Sequence, residues 1–389
     1  MTLYLDHNST TPMLPVVRER LLELLAQDLG NPSSVHTSGR RARALIDDAR
    51  AQVAAALEVP EEWVLFTSGG TEANNAALQG AVLGAPSGEA GLVVSAGEHA
   101  SVLEPARALQ ARGHALALAP IDSSGVLELD RALELAGNPA CCVISSLMAN
   151  NEVGSLAPMA ELSEGLAALG KRRPLWHVDG VQALGRVPLE LAAWGVDLAS
   201  FSAHKLGGPL GVGLFVRNPR APWAPLALGG GQEGGGRAGT ENAPALAAAA
   251  LAVELAVAHR EAYASHTRAL VSALWQRLDR DLDVILLGPP LGHPARLPNT
   301  LQLLLPGLSG EALVARLDLE GLAASVGSAC SSGAALASHV LLAMGATKDQ
   351  ARSSLRLSVG AATSHQDIHR AGDILVATVV ALGPPAVHE

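Results

Sequence analysis

Six short apolar runs, set apart by turns and helical stretches, constrain this chain more than any other feature of it. They are WVLFT (63–67), LVVSA (92–96), CCVISSLM (141–148), LWHVD (175–179), DLASFS (197–202) and GVGLFV (211–216). Each carries apolar residues at successive positions, the pattern of a strand covered on both faces; a half-exposed strand would alternate. Interleaved with helices, such strands predict an α/β layered unit with a mostly parallel sheet. Past about Ala258 the rhythm changes to longer helices mixed with strands expected at Asp283–Leu287, Asn299–Leu305 and Ser354–Val359. That reads as a second, smaller α+β domain, with one Ala- and Leu-rich helix over about 243–278 as the bridge. The expected division is 15–257 for the large domain, with 1–14 and 258–389 forming the small one.

Composition narrows the function classes. The chain has 389 residues, 49% of them apolar, ample for two cores, and a net charge of -10 that offers no basic excess to neutralise nucleic-acid phosphates. The longest apolar run, APALAAAALAVELAVA from Ala243, contains Glu254 and reads as a buried helix, so no membrane partner is expected. The opening MTLYLDHNSTTP lacks a basic-then-apolar signal pattern, which makes the cytoplasm the expected location. The cysteines are Cys141, Cys142 and Cys330, an odd count without metal-ligand spacing. Neither a disulfide framework nor a structural metal site is expected.

A few positions carry chemistry. Lys205 is one of only three lysines, and it follows the strand DLASFS and precedes Gly207, Gly208 and Pro209. Most lysines are surface charges. This one lies where α/β sheets place ligands, and a desolvated lysine can lose its proton and form a Schiff base with an aldehyde. Ser202 and His204 beside it are suited to a phosphate. Asp179 ends an almost wholly apolar strand, as a helix cap or as a buried counter-ion to a pyridine nitrogen, with Gln182 three residues on. The segment FTSGGTEANN (66–75) runs from strand through glycines into a helix and aims free backbone N–H groups at an anion. It lacks the lysine of a nucleotide-binding loop.

Cys330 stands among small residues in AASVGSACSSGAALASH (323–339) and reads as an accessible thiol, or as a tolerated surface cysteine. The pair in CCVISSLM reads as strand core. Arg356 is the one charge in SSLRLSV, fit to grip a carboxylate or to form a structural salt bridge.

Together these residues resemble a family. YLDHNSTTP, NPSSVHTSGRRAR (31–43), TSGGTEANN, GEHAS (97–101), NNEVG (150–154), HVDGVQALG (177–185), SFSAHKLGGPLGVG, GGGQEGGGRAGTEN (229–242), GSACSSG (327–333), ASHVLLAMG and RLSVG (356–360) occur in order over nearly the whole chain. In that ordered set the chain is similar to the cysteine desulfurases, the NifS/IscS-like branch of the class V, fold-type I pyridoxal-phosphate enzymes.

The resemblance implies a PLP-dependent transferase fold with a seven-stranded, mostly parallel sheet, and pyridoxal 5'-phosphate carried on Lys205. His99 would stack on its ring and assist proton movement. Asp179 would pair with the ring nitrogen, with Gln182 and Asn151 near the ring hydroxyl. Gly70, Thr71, Ser202 and His204 would hold the phosphate, joined by Thr240 of a second subunit in a homodimer. Asn151 and Arg356 would bind the carboxylate of L-cysteine. Cys330 would become a persulfide and pass sulfur to an acceptor or iron–sulfur scaffold protein, ligating a cluster at most transiently. The GSACSS form is similar to the branch with the longer loop. Gly70 and Gly180 stand where the family pattern has alanine, and VGSAC replaces SGSAC. Other class V activities, a selenocysteine lyase or an aminotransferase, share the fold. A non-catalytic scaffold fits poorly with a chain that keeps Lys205, Asp179 and Cys330.

Overall fold

The computed structural model describes residues 2–86, 90–327 and 337–383 and arranges its strands in three sheets. After β1 (Leu3–Tyr4) come β2 (Val64–Thr67), β3 (Gly91–Ser95), β4 (Leu116–Ala119), β5 (Cys141–Leu147), β6 (Leu175–Asp179), β7 (Leu198–Ser202) and β8 (Gly213–Arg217). Strands β2 to β8 form one mixed sheet in the order β2-β8-β7-β6-β5-β3-β4. Strands β3 to β7 are parallel, while β8 runs antiparallel to both neighbours. Two reversals restore the direction, so β2 points the same way as β7. The C-terminal ends of six strands therefore open onto one edge, the edge where α/β sheets bind ligands.

The apolar runs form strands because both faces are covered. Every residue of β2, β3, β5 and β7 is buried. α1 (Pro15–Leu25) packs outside on α7. Helices α2 (Thr37–Ala56), α5 (Leu129–Ala136), α6 (Met159–Ala168) and α7 (Ala243–Ala258) share one core with the sheet; α3 (Gly70–Gly84) and α4 (Ala100–Ala111) share the other. Cys141 and Cys142 are buried in these two different cores, and burial pushes the Cys141 thiol up to about 12. Strand β4, which carried no clear sequence signal, is the partly exposed edge.

The expected bridging helix is two helices. α7 ends at His259 and α8 (Arg260–Asp281) leaves at 70° to it. His259 takes up φ −102° and ψ 9°, and its ring Nδ1 hydrogen-bonds the Leu255 carbonyl at 2.9 Å, satisfying a group of the last turn. Among the described residues no single helix is long and apolar enough to cross a membrane.

Beyond the bend, β9 (Ile285–Leu287), β10 (Thr300–Leu304), α9 (Gly310–Leu319), β11 (Leu322–Ala323), α10 (His339–Ala343), α11 (Lys348–Arg352), β12 (Ser354–Ser358) and α12 (His365–Leu382) complete the chain. Antiparallel β12-β10-β9 lies against α8, α9 and α12 in a Leu-rich core of its own. β1 pairs in parallel with β11, so the N-terminal segment starts in this smaller layer. It then crosses to the ligand edge of the large sheet, with Asp6 bridging Ser358 on the way.

Candidate active site

Four consecutive parallel strand ends, the start of α3, the N-terminal segment and β12 enclose a cavity of about 270 Å³. Its lining includes Asn8, Ser9, Gly70, Thr71, Asn74, His99, Ser101, Asn151, Asp179, Gln182, Ser202, His204, Lys205, Gly327 and Arg356. Of the residues singled out in the sequence, all but Thr240 and Cys330 meet here. Thr240 is exposed and stands outside the cavity. Cys330 lies outside the described residues; Gly327, three positions before it, forms part of the wall.

Asp179 ends β6 and is 2% exposed. Its carboxyl accepts from Asn74 Nδ2 at 2.7 Å and from the Val181 N–H at 3.0 Å. Burial pushes its pKa above the usual carboxylate range, an effect opposed by those hydrogen bonds and by His99 and Lys205 nearby. Asn74 also donates to Ser101 Oγ at 2.8 Å, and that hydroxyl contacts His99 Nδ1 at 2.8 Å. His99 N-caps α4: its Nδ1 accepts from the Ser101 N–H at 3.1 Å. That bond puts the proton of the neutral imidazole on Nε2. Burial lowers the His99 pKa, so the neutral ring is favoured.

Lys205 follows β7 in a short helical turn. Its Nζ donates to the carbonyls of Asn8 at 2.7 Å and Ser9 at 2.6 Å. Asn8 ties the site together. Its carbonyl also accepts from Gln182 Nε2 at 2.9 Å, and its side chain bonds Arg186, Asn299, Thr300 Oγ1 and the Asn151 carbonyl. His204 contacts Thr10 Oγ1 at 3.0 Å, and burial together with Lys205 lowers its pKa to about 4.

Arg356, also 2% exposed, occupies the opposite wall. Its Nη1 donates to the carbonyls of Asn151 at 3.0 Å and Gly327 at 2.9 Å; its Nη2 donates to Asp6 Oδ1 at 2.8 Å and Ser9 Oγ at 2.7 Å. The structural salt bridge weighed for this arginine is thus present, on a residue that also lines the cavity. Its buried Nε has no hydrogen-bond partner among the described residues.

The two glycines that replace alanine have a packing reason. A Cβ on Gly180 would fall 2.3 Å from the Phe201 ring, and one on Gly70 would fall 2.9 Å from Val181 Cγ2. In this chain the Phe201 ring and Val181 fill the space an alanine would take.

The set fits pyridoxal phosphate. The start of α3, with Thr71, Ser202 and His204, suits the phosphate. Lys205 suits the aldehyde. Asp179, buried and hydrogen-bonded by the Asn74 amide and the Val181 N–H, suits a protonated ring nitrogen, whose charge would favour the ionised carboxyl. Asn8, Ser9, Asn74 and Ser101 were not singled out in the sequence, although each lies inside a motif quoted for the resemblance. Among the described residues no group of three or more His, Cys, Asp or Glu is placed to hold a metal ion.

Comparison with known proteins agrees with this geometry. The family model described as aminotransferase class-V matches residues 3–371. A cysteine desulfurase IscS of Dictyoglomus turgidum is 35% identical over 373 residues, covering 96% of this chain and 93% of that protein. A putative cysteine desulfurase IscS 1 of Bacillus subtilis is 36% identical over 375 residues, covering 95% and 96%. The solved structure of a NifS-like protein superposes with a TM-score of 0.91 at 32% identity, over 98% of this chain and all of that one.

Proposed function

The chain belongs to the class V aminotransferase family, and from that premise we propose that it is a cysteine desulfurase converting L-cysteine to L-alanine and taking the sulfur onto Cys330. It is a pyridoxal-phosphate-dependent enzyme of fold type I. The observation that carries the reading is the convergence of Lys205, Asp179, His99 and Arg356 on one cavity, with the residue leading toward Cys330 in its wall.

Bound pyridoxal phosphate supplies an electron sink for the pair released when the substrate Cα–H bond breaks. The chain's own groups do the rest. Thr71, Ser202, His204 and Gly70 at the start of α3 hold the phosphate. Asp179 stabilises a proton on the ring nitrogen, and Asn74 and Val181 orient its carboxyl for that. Gln182 and Asn151 flank the ring hydroxyl. Lys205 would hold the group through Nζ, and its amine is the base placed to remove the Cα proton. His99, neutral with its proton on Nε2, would lie against the ring and assist proton movement. Arg356 and Asn151 bind the substrate carboxylate. The Cys330 thiolate attacks the substrate sulfur, the Cβ–S bond breaks, and alanine leaves. The sum is L-cysteine plus one thiol giving L-alanine plus one persulfide, so no outside oxidant is needed.

The same reading makes the protein a cytoplasmic homodimer that hands its persulfide sulfur to an acceptor or iron–sulfur scaffold protein. Exposed Thr240 supports this, since a residue outside its own cavity is free to complete a partner's. We divide the chain into 15–257 around the large sheet and 1–14 with 258–389 around the small one. The separate cores of the two sheets support that division.

The test is alanine release from L-cysteine in the presence of a thiol reductant, comparing wild type with Cys330→Ala. Alanine from wild type and almost none from the variant is expected. Equal release from both removes Cys330 as the acceptor. No release from either, with cofactor converted to its amine form by an amino acid, favours an aminotransferase.

A further inference from the structure

Arg186 has no part in the mechanism above, yet it is 4% exposed and stands in the turn after β6, four residues past Gln182. Gly185 gives that turn its course: its φ is +72°, and a Cβ there would fall 2.7 Å from Ala256 Cβ on α7. A buried arginine is ordinarily met by an anion. Among the described residues no carboxylate pairs with this one. Oxygens of uncharged groups meet it instead. Nη1 donates to Asn8 Oδ1 at 3.0 Å and to Gln182 Oε1, and Nη2 makes a long contact of 3.5 Å to the Lys205 carbonyl.

Those contacts decide which way two amides point. A guanidinium only donates, so Asn8 and Gln182 must turn their side-chain oxygens toward it and their nitrogens away. For Gln182 the result is an Nε2 that donates to the Asn8 carbonyl at 2.9 Å. An amide nitrogen carries two hydrogens, and among the described residues Nε2 uses one of them. Gln182 lines the cavity, so its turned amide offers an N–H there. The Asn8 carbonyl also accepts from Lys205 Nζ at 2.7 Å, which refers the lysine and the amide to one point. The Asn8 amide, with its oxygen on Arg186, donates to Thr300 Oγ1 at 2.9 Å and to the Asn151 carbonyl at 3.1 Å.

We propose that Arg186 is a positioning residue for the cofactor: by taking the side-chain oxygens of Gln182 and Asn8, it turns the Gln182 N–H toward the ring oxygen of pyridoxal phosphate and holds that oxygen with a donor. This role rests on the reading that places Gln182 beside the ring hydroxyl. Without the guanidinium, the buried Gln182 oxygen loses its donor, a costly state that the amide relieves by rotating away. The missing carboxylate has the same explanation. A cation buried among uncharged acceptors gains from a negative oxygen nearby, and an ionised ring oxygen supplies one when the cofactor is bound.

Equilibrium dialysis of the full-length chain tests this, with pyridoxal phosphate and with its 3-deoxy analogue, which lacks the ring oxygen. Arg186→Met should weaken binding of pyridoxal phosphate by about tenfold, the order expected for one hydrogen bond, and leave binding of the 3-deoxy analogue unchanged. Gln182→Leu should show the same selective loss. Because both act on one contact, the double variant should bind no more weakly than either single one. Arg186→Lys keeps the charge and a multiple donor, and should recover most of the affinity. Arg186→Gln is made alongside; if Arg186→Met fails to fold, it should show the same selectivity at smaller size. Equal losses for both ligands in the Arg186 variant that folds overturn the inference, because a merely structural role cannot tell the ligands apart. Gln182→Leu with wild-type affinity for pyridoxal phosphate overturns the placement of Gln182 on which the inference stands. A selective loss in Gln182→Leu beside an unaffected Arg186 variant overturns the inference alone.

Discussion

Asp179 at the end of β6 and Arg356 on β12 face the same cavity and are equally buried, at 2% exposure each, yet their charges are met in opposite ways. Asp179 takes its hydrogen bonds from neutral groups, the Asn74 amide and the Val181 backbone. Arg356 is surrounded by acceptors: the Asp6 carboxyl, the Ser9 hydroxyl and two backbone carbonyls. A cation arriving beside Asp179 adds an interaction and breaks none. A carboxylate arriving beside Arg356 finds only Nε without an acceptor among the described residues, so a two-point grip on the guanidinium must displace an acceptor already in place. The first arrangement favours tight, lasting occupancy. The second favours exchange, which suits a site that must release alanine after every turnover.

The comparison can be broken at several points. On the cofactor side, Lys205→Ala should abolish the Schiff-base absorbance and lower alanine formation by about a thousandfold or more. A normal absorbance spectrum in that variant would end the assignment. Asp179→Asn keeps the shape but removes the charge. It should lower kcat by about a hundredfold to a thousandfold while the KM for L-cysteine moves little, in line with the loss of one well-aimed electrostatic group. Arg356→Lys should do the reverse, raising KM by about tenfold to a hundredfold because the planar fork is lost, with cofactor absorbance unchanged. If KM stays put, the exchange argument fails and the arginine is a structural tie alone.

Two smaller effects sharpen the picture of the cofactor side. Gly180→Ala pushes a methyl into Phe201 and should cost about 1–3 kcal/mol of stability in urea unfolding, with partial recovery in a Phe201→Leu background. His204 has its pKa lowered to about 4 in the folded chain, against about 6.5 when unfolded. Between those values the unfolded chain binds the proton and the folded one does not. The stability tied to this histidine is therefore complete above pH 6.5 and is lost as the pH falls toward 4. His204→Asn should flatten the stability profile in that window relative to wild type; identical profiles would show that its burial costs nothing on protonation.

Much of this was readable in the sequence, for identifiable reasons. Strands β2, β3, β5, β6 and β7 announced themselves because strands buried on both faces are apolar throughout. β4 did not, because its run LALA consists of Ala and Leu, which favour helix at least as much as strand, with no β-branched or aromatic residue to mark it. The break at His259 was hidden by unbroken helical composition on both sides of it. Asp179 and Arg356 stood out as isolated charges on apolar strands, and Lys205 as one just past the end of such a strand. Asn8, Asn74 and Ser101 did not. They are small polar residues whose meaning lies in side-chain bonds to partners up to 292 positions away, which no local spacing reveals.

Asn8 has one more consequence, in the order of events during synthesis. It leaves the ribosome well before its partners Lys205, Asn299, Thr300 and Ser358, the last of them 350 positions later. At about 5–20 residues per second, the N-terminal segment waits tens of seconds for the residues that will hold it. Contacts of such long range form late, after the large sheet has had time to assemble. The cavity wall that the N-terminal segment shares with Arg356 is therefore closed only after β12 has been made, later than the large sheet that leads into Lys205.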